Sequence, residues 1–491
     1  MSRFWAAAAI AAALAAAGCG GGGGGGGSVP DGAELAPASS VAFVSISTDF
    51  SSAQWKQVTK LAGRFPGTPQ LIAALKKQTK GLDFEQDIKP ALGPEVDLVW
   101  FDAANSGNDV VGLTKPDTTA KLKALLEKSR SRGESKAVTA QVGDWVAISD
   151  SQAKLDRFKT ASAGDRLAGD KDFKQAFEKL DSDSSVRAWI SGDFVQSELD
   201  RSLATSGAPP RLSHDLGDLH AISVAAKAED AGASIELDGL LDPTPDPGTF
   251  SPSLPGDVPS GALLYLSTTR LDTQLRTVLR LVGKSLPKFN TQLSQVEGVL
   301  GVSLENDIYP LLKDESALAV YPGTAQIPRV LFLQKVGDEK KADSLLRRFS
   351  AIAQLGGSTK AETVQLGGES VQKLTFAGIP VTLYDGTANG KVFVTNASNL
   401  AEQTIGGPAD SLADDPLYRS ARDAAGMPRK VAAFAFGNVE NGLPYVLRLA
   451  QQSGSVVPPE AFANVKPLHA TVVYLVKDGG ALRISGFQTI K

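Results

Sequence analysis

A fifteen-residue stretch occurs twice in this chain and constrains its fold more than any other feature. It reads GLDFEQDIKPALGPE from Gly81 to Glu95 and returns as GVSLENDIYPLLKDE from Gly301 to Glu315, an offset of 220 residues. At this offset residues 41–101 align with residues 261–321 without a gap, and the alignment resumes between 110–128 and 330–348. Long matching segments at one fixed offset indicate a duplicated domain, so one copy should repeat the fold of the other.

The duplication and the proline content predict the domain organisation. Repeat one is expected to span residues 35–242 and repeat two residues 261–491. Residues 243–260 contain six prolines, which favours an extended, semi-rigid linker between the repeats.

Within each repeat, short apolar strands mixed with amphipathic helices predict an α+β fold. The stretches 41–47 and 261–267 have the alternation and β-branched content of a first strand. The helix that follows in repeat two should bury a stripe made of Leu275, Val278, Leu279 and Val282. Strands joined by hairpins suggest a mostly antiparallel sheet with helices packed on one face.

Repeat two is longer than repeat one in the hairpin region that precedes residues 391–395. The extra sequence is expected to form strands at 371–376 and 381–384, followed by a tight turn at Asn389 and Gly390. Further along, 186–191 aligns with 431–436, and each repeat closes with Leu-His-Ala before a final hairpin.

The N-terminus predicts export and lipid anchoring. Residues 1–18 combine Arg3 with an alanine-rich apolar run and small residues at the end, as in a secretory signal peptide. Ala16-Ala17-Gly18-Cys19 resembles a bacterial lipobox, in which the cysteine is acylated and becomes the first mature residue. The eight glycines that follow make residues 19–34 a lipidated, glycine-rich tether. A plain secretory signal with an accidental cysteine is the alternative.

Charge argues against a nucleic-acid partner. The net charge is −4 and the isoelectric point is about 5.6, so the basic surface that binds phosphate backbones is not indicated. The expected partners are therefore the membrane, through acylated Cys19, and an unknown protein or a small apolar ligand.

The residues that both copies of the repeated stretch keep have structural explanations. A glycine can end the preceding helix in the left-handed conformation, Asp83 or Ser303 can cap the next short helix, and a proline stops that helix. The shared residues are Gly81, Asp87, Pro90 and Glu95 in repeat one and Gly301, Asp307, Pro310 and Glu315 in repeat two.

The alternating acids Asp83, Glu85 and Asp87 also suggest a calcium loop. Such a loop needs a glycine at its sixth position and a bidentate glutamate at its twelfth, where this chain has Ile88 and Pro94. A capped helix start therefore explains these acids better than a metal does.

Histidine is scarce, which limits imidazole chemistry to few positions. His214, Asp215, Asp218 and His220 lie close in sequence and are weak candidates for a metal site. Repeat two has Ala463, Asn464, Pro467 and His469 at the matching positions. A polar loop followed by a half-buried strand histidine is the simpler interpretation for both His220 and His469. No cofactor and no catalytic residue are predicted.

Several short segments of the chain resemble a bacterial domain of unknown function, number thirty-three fifty-two. The likeness rests on Pro37 before residues 41–44, on Arg64-Phe65-Pro66, and on residues 81–95. It covers nearly the whole mature chain, although repeat two has Ser285-Leu286 in place of Phe65-Pro66. The resemblance implies an uncharacterised, exported or membrane-attached protein and implies no catalytic residue.

The aromatic residues show that the two repeats have diverged. Four of the five tryptophans, all except Trp5 in the signal segment, lie in repeat one, whereas all seven tyrosines lie in repeat two. A binding site is therefore expected on one repeat, or between the repeats. The first hypothesis is a lipid-anchored envelope protein that binds or scaffolds without catalysis. The alternatives are a carrier of an apolar ligand, which needs a cavity between sheet and helices, and a hydrolase with an unrecognised site.

Overall fold

The computed structural model describes residues 28–78, 82–103, 109–131, 137–205, 209, 212–286, 288–323, 327–355 and 357–491. The predicted signal peptide, Cys19, most of the glycine-rich tether and Gly81 lie outside these residues.

Eighteen strands form one antiparallel sheet in the described part of the chain. The strands are β1 Ala42–Ser47, β2 Glu95–Trp100, β3 Val110–Thr114, β4 Val138–Val142, β5 Trp145–Ser149, β6 Val186–Ser191, β7 Asp218–Glu229, β8 Gly232–Asp242, β9 Leu264–Thr268, β10 Ser316–Tyr321, β11 Arg329–Lys335, β12 Thr359–Leu366, β13 Glu369–Phe376, β14 Ile379–Ala388, β15 Lys391–Thr395, β16 Ala433–Asn438, β17 Leu468–Asp478 and β18 Ala481–Ile490.

Thirteen α-helices flank this sheet in the described segments. They are α1 Ala53–Ala62, α2 Thr68–Gln78, α3 Thr119–Ser131, α4 Gln152–Ala161, α5 Lys171–Glu178, α6 Gly192–Thr205, α7 Leu271–Ser285, α8 Phe289–Leu300, α9 Glu339–Leu355, α10 Ser398–Gly406, α11 Pro416–Ala424, α12 Val439–Gln452 and α13 Pro459–Val465.

Strand order confirms the duplication. Repeat one runs β4-β5-β3-β2-β1-β6-β7-β8 across the sheet. Repeat two runs β18-β17-β16-β9-β10-β11-β15-β14-β13-β12. The last strands, β8 and β18, pair with each other at Gly232 and Thr489. The two repeats therefore share one continuous sheet, related by an approximate two-fold axis between β8 and β18.

Strand pairing refines the sequence alignment at the first strand. Phe43 pairs with Val99, and Tyr265 pairs with Ala319, which is the counterpart of Val99. Phe43 and Tyr265 are both fully buried, so they are structural equivalents. The ungapped alignment placed Phe43 opposite residue 263 instead. A two-residue shift is not visible in the hydrophobic pattern, because it leaves every side chain on the same face of the sheet.

The α+β class and the antiparallel sheet are confirmed, but the helices cover both faces of the sheet. In β5, Trp145 and Ala147 belong to the main core of repeat one, whereas Val146 and Ile148 pack with leucines of α3. Since neighbouring residues of a strand point to opposite faces, both faces carry helices. The prediction of helices on one face is corrected here, because short apolar runs in β5 and β9 fit a strand buried on both sides.

The longer hairpin region of repeat two forms an additional two-stranded hairpin. β14 and β15 correspond to β4 and β5, because both pairs join the sheet through the same neighbour. The additional strands are β12 and β13, of which the sequence analysis missed β12. The turn at Asn389 and Gly390 has positive φ at both residues, 53° and 72°, as a tight hairpin turn requires.

The segment before residue 260 packs into the core of repeat two. Leu254 and Val258 are fully buried there, and the Val258 carbonyl accepts a hydrogen bond from Leu412 N at 2.8 Å. In repeat one the Ala36 carbonyl accepts the equivalent bond from Leu167 N at 2.9 Å. The second half of the expected linker thus repeats a structural element. The predicted domain boundaries remain a prediction.

Candidate functional site

Several residues that both copies of the repeated stretch share cap helices. Gly301 ends α8 with a left-handed φ of 61°. Asp87 accepts a hydrogen bond from Asp83 N at 2.8 Å, and Asp307 accepts one from Ser303 N at 2.9 Å. The side chains of Asp83 and Ser303 in turn cap the short turns Phe84–Ile88 and Leu304–Ile308. Each acid thus accepts from the amide of the capping residue, whose own side chain accepts from Gln86 N or Asn306 N, an arrangement similar to a capping box.

The prolines end these turns. Pro90 and Pro310 each lie in the first two positions of a 3₁₀ turn, Lys89–Ala91 and Tyr309–Leu312. Asp87 also forms an ion pair with Lys128, and Asp307 with Lys341 at 3.5 Å. The carboxylates of Asp87 and Asp307 therefore stabilise the local helix start.

Glu315 pins the 3₁₀ turn Leu254–Gly256 to the sheet. Its carboxylate accepts hydrogen bonds from Ser253 N at 3.0 Å, Ser253 Oγ at 2.7 Å and Leu254 N at 3.1 Å. Ser267 Oγ adds another at 3.2 Å. A buried carboxylate with this many donors is structural.

Glu95, the counterpart of Glu315, has a different environment. It lies near the fully buried Asp97, whose counterpart in repeat two is Ala317. Burial first, and then the charge of Glu95, raise the pKa of the Asp97 carboxyl well above its usual range. The two copies have diverged at this position.

The candidate metal residues contact different partners, and His214 has two acids nearby, with its Nε2 3.7 Å from Asp200 Oδ2. His214 Nδ1 lies 2.5 Å from Asp218 Oδ1, while Asp215 forms an ion pair with Lys284 at 2.7 Å. His220 Nδ1 lies 3.3 Å from Asp172 on α5. Within the residues that the structure describes, no group of three or more His, Cys, Asp or Glu side chains could hold a metal.

His220 and His469 occupy equivalent β-bulges. The pairing of β7 with β8 shifts between Leu219 and Ala221, and that of β17 with β18 shifts between Leu468 and Thr471. His469 Nδ1 lies 2.8 Å from Glu440 Oε2. Each histidine is held by one acid from a neighbouring helix.

An apolar cavity of about 430 Å³ opens on the sheet of repeat two. Its floor is a row of side chains in register across neighbouring strands, with Leu266 of β9 at the centre. The row continues through paired residues on both sides. It consists of Phe332, Leu318, Leu266, Ala435 and Val473.

A second row and the start of α7 complete the lining. The second row contains Thr268, Ala433, Leu475 and Ile484, and Leu271 contributes from α7. Leu266 and Ile484 are both exposed, although they are large and apolar. The few hydroxyl groups, on residues such as Thr268 and Ser316, offer no charge. The volume lies in the range of small-molecule sites, and the lining suits a hydrocarbon chain.

The helix over this face differs between the repeats. In repeat one, α1 is seated on the sheet, with Trp55, Val58 and Leu61 in a cluster with Ala228 and Ala233 of the β7-β8 hairpin. In repeat two, α7 packs against the turn Tyr309–Leu312 and against α8. Val278, the counterpart of Val58, is 54% exposed, whereas Val58 is 6% exposed. The apolar stripe expected on α7 is therefore only partly covered.

The glutamine shared by both helices shows the same difference. Gln54 Oε1 accepts a hydrogen bond from Ala228 N in β7 at 3.1 Å. Gln274 Nε2 instead donates to Thr268 Oγ1 and to the Thr269 carbonyl, each at 3.1 Å. The helix of repeat one reaches across to β7, and that of repeat two folds back onto the end of its own first strand.

Sequence reasoning missed the cavity residues because none of them carries a reactive group. One signal was available. In Gly-Ala-Leu-Leu-Tyr-Leu-Ser, residues 261–267, both alternating faces are apolar, so both needed a cover. The sequence could not show that α7 would leave one of them open.

Comparison with known families identifies the chain. The model of the family described as "Protein of unknown function (DUF3352)" matches residues 118–471. The chain belongs to this family. The match begins after β3 and ends within β17, so it leaves out the first three strands of repeat one and the last strand of repeat two. No curated protein matches the sequence.

Two solved structures show a distant likeness to this DUF3352 protein. Crystal form III of TP0453 has a TM-score of 0.26 and 9% identity, covering 47% of this chain and 77% of that one. Crystal form I of TP0453 has a TM-score of 0.25 and 10% identity, with 48% and 78% covered. None of the helices in the described segments combines the length and apolarity needed to cross a bilayer.

Proposed function

We propose that this DUF3352 protein is a lipid-anchored envelope protein that binds an apolar ligand, such as a lipid acyl chain, in the cavity of repeat two. The cavity itself carries the proposal, because it opens on the face of the sheet that carries the seated helix in repeat one. An exposed apolar surface of this kind is costly in water, and burying it against a hydrocarbon chain would be favourable.

The lining also indicates what the site would recognise. Alkyl and aromatic groups surround the cavity, while charged side chains are absent from its lining among the described residues. The site would hold the chain of a lipid and leave its polar headgroup at the mouth. Selection would then depend on chain length and shape.

Anchoring would keep such a binding protein at the source of its ligand. The first described residue, Ser28, is held to repeat one by a hydrogen bond from Arg187 Nη1 to its carbonyl at 2.8 Å. The glycine-rich tether would therefore join the lipidated Cys19 to repeat one, and repeat two would remain free to exchange ligand.

The proposal can be tested with the full chain carrying Cys19→Ser and a dansyl-labelled fatty acid as the probe. Ala435→Phe would place a phenyl ring beside Leu266 and Val473 in the cavity floor. We expect a loss of affinity of about tenfold or more, since about 1.4 kcal/mol of lost contact is sufficient.

Ala188→Phe is the matched control. Ala188 pairs with Val44 and Val224 as Ala435 pairs with Leu266 and Val473, so strand pairing makes the two equivalent. The sequence alignment of 186–191 with 431–436 is two residues off here, as at the first strand. The Ala188→Phe variant should leave probe binding unchanged. Equal affinities for the wild type and Ala435→Phe, or a wild type that does not bind the probe, would rule out the cavity as a ligand site.

A further inference from the structure

Contacts to one shared position join the helical region of each repeat to the other repeat. Lys284 Nζ, near the end of α7, lies 2.7 Å from both carboxylate oxygens of Asp215 in repeat one. Gly67 N, between α1 and α2, donates to Asn464 Oδ1 of α13 in repeat two at 2.6 Å. Asn464 is the counterpart of Asp215, so the same position accepts the contact in both repeats. Asp215 accepts through its carboxylate and Asn464 through its amide oxygen.

Apart from the bonds of Gln274 to the end of β9, α7 is held mainly by the repeated stretch. Arg276 forms an ion pair with Glu305, and its guanidinium lies 3.9 Å from the centre of the Tyr309 ring. In repeat one the corresponding region instead packs Phe50 against Trp55 and Phe84, with ring centres 4.8 Å and 4.9 Å apart. Polar contacts thus replace the aromatic contacts that accompany the seated helix.

The surface on which α7 could be seated has also changed. Ala228, which lies under α1, is replaced in repeat two by Lys477, an exposed residue. A lysine can move its side chain aside, so this replacement weakens the seated position without closing it.

We infer that α7 is a lid over the second row of the cavity lining, and that the Asp215–Lys284 ion pair is the latch that holds it open. In repeat one the counterparts of Thr268 and Leu475, which are Ile46 and Ala226, are only 1% and 6% exposed. The closed form would have α7 seated on β17 as α1 is seated on β7. The two repeats then display the two positions of one helix. The role of the lid in ligand binding rests on the proposed function, whereas the disulfide test of its movement does not.

The latch is suited to a reversible lid. Lys284 and Asp215 keep about half and a quarter of their side chains exposed, 48% and 24%. Ion pairs with this exposure are weak and are screened by salt. Breaking the pair would therefore shift the open and closed populations several-fold and would not unfold the chain.

A disulfide trap tests the closed form without any ligand. Cys19 is the only cysteine, so the Cys19→Ser chain can carry Val278→Cys with Lys477→Cys. These positions correspond to Val58 and Ala228, which share one cluster in repeat one. Val58→Cys with Ala228→Cys is the positive control and should oxidise readily.

We expect the trap between residues 278 and 477 to oxidise slowly when the latch is intact and several-fold faster with Asp215→Ala. Lys284→Ala should have the same effect, and the two changes together should add nothing further, since they break one pair. Asp230→Ala, which breaks the exposed Lys60–Asp230 pair on α1, should change nothing. Equal rates with and without Asp215, or no oxidation where the positive control oxidises, would overturn the lid.

The fatty-acid probe separates this inference from the proposed function. If both hold, Asp215→Ala weakens probe binding by up to about fivefold, and the oxidised trap weakens it at least as much. If the latch governs oxidation but the wild type does not bind the probe, the lid stands and the proposed ligand is wrong. If the probe binds and Asp215→Ala alters neither readout, the cavity stands and the lid is wrong.

Discussion

Arg483 donates two hydrogen bonds to the fully buried carboxylate of Asp238, from Nε to Oδ1 at 2.9 Å and from Nη2 to Oδ2 at 3.1 Å. Arg483 lies in β18 and Asp238 in β8, so this bidentate pair joins the two repeats within the shared sheet. Ile235 and Gly486 approach each other in the same register. The interface between β8 and β18 is therefore closely packed and contains a buried ion pair.

Removing one partner of that pair should be costly. We expect Arg483→Ala to lower the free energy of unfolding by about 3 to 5 kcal/mol, because Asp238 would stay buried and unpaired. Replacing both residues with leucine should recover most of the loss. Urea unfolding followed by circular dichroism measures both effects. A loss as small as that of an exposed ion pair would show that the junction opens to water.

The buried Asp385 should make stability depend on pH. Burial, and then the charge of Asp343, raise the pKa of Asp385 to about 7. In the unfolded chain its pKa is about 3.9. The folded chain therefore holds the proton more tightly, and the free energy of unfolding should fall as pH rises from about 4 to about 7.

Asp385→Asn tests this dependence against the wild type in urea unfolding at a series of pH values. The variant should lack that part of the decrease and should be the more stable protein above pH 7. Asp343→Asn should shift the decrease to lower pH, because the repelling charge is gone. Parallel pH profiles for wild type and Asp385→Asn would show that Asp385 ionises normally.

Gly298 inside α8 and Gly301 just after it should respond to alanine in opposite directions. Gly301 has a left-handed φ of 61°, so Gly301→Ala should destabilise the protein by about 1 kcal/mol. Gly298 lies inside the helix with open space around it, so Gly298→Ala should stabilise by about 0.5 to 1 kcal/mol. Chemical denaturation of both variants checks the signs. Similar effects at both positions would contradict the capping role of Gly301.

Glu315 and Glu95 should differ in importance despite their equivalent positions. Glu315→Gln would place amide hydrogens against the donors of Ser253 and Leu254 and should cost about 2 to 3 kcal/mol. Glu95→Gln should be neutral or stabilising, since it removes a charge beside Asp97. Limited proteolysis near residue 254 would reveal the released turn in the first variant. Equal resistance in both variants would argue against the pinning role of Glu315.

Lipid anchoring at Cys19 has its own test. Cys19→Ala should move the protein from the membrane fraction to the soluble fraction, because an acylated cysteine is the proposed attachment. A signal-sequence variant that keeps Cys19 serves as the control. Unchanged membrane association of Cys19→Ala would refute anchoring at this residue.

Much of the architecture was accessible from the sequence. The duplication, the α+β class, the capped short turns and the Asn389–Gly390 hairpin follow from local patterns, since each depends on residues close together in the chain. The two-residue shift at β1 and the strand β12 were not accessible. The shift preserves alternation, and the exposed pattern of β12 resembles a polar loop.

The sequence by itself determined that this protein is two copies of one fold and that its repeated acids serve helix starts. Only the tertiary structure decided which apolar surfaces are covered in one copy and exposed in the other. Val58 and Val278 occupy matching positions in similar helices, yet one is buried and the other exposed. That outcome depends on contacts distant in sequence, such as Lys284 with Asp215 and Arg276 with Tyr309. Hydrophobic periodicity reports which face of a helix is apolar, but tertiary packing decides whether that face is covered.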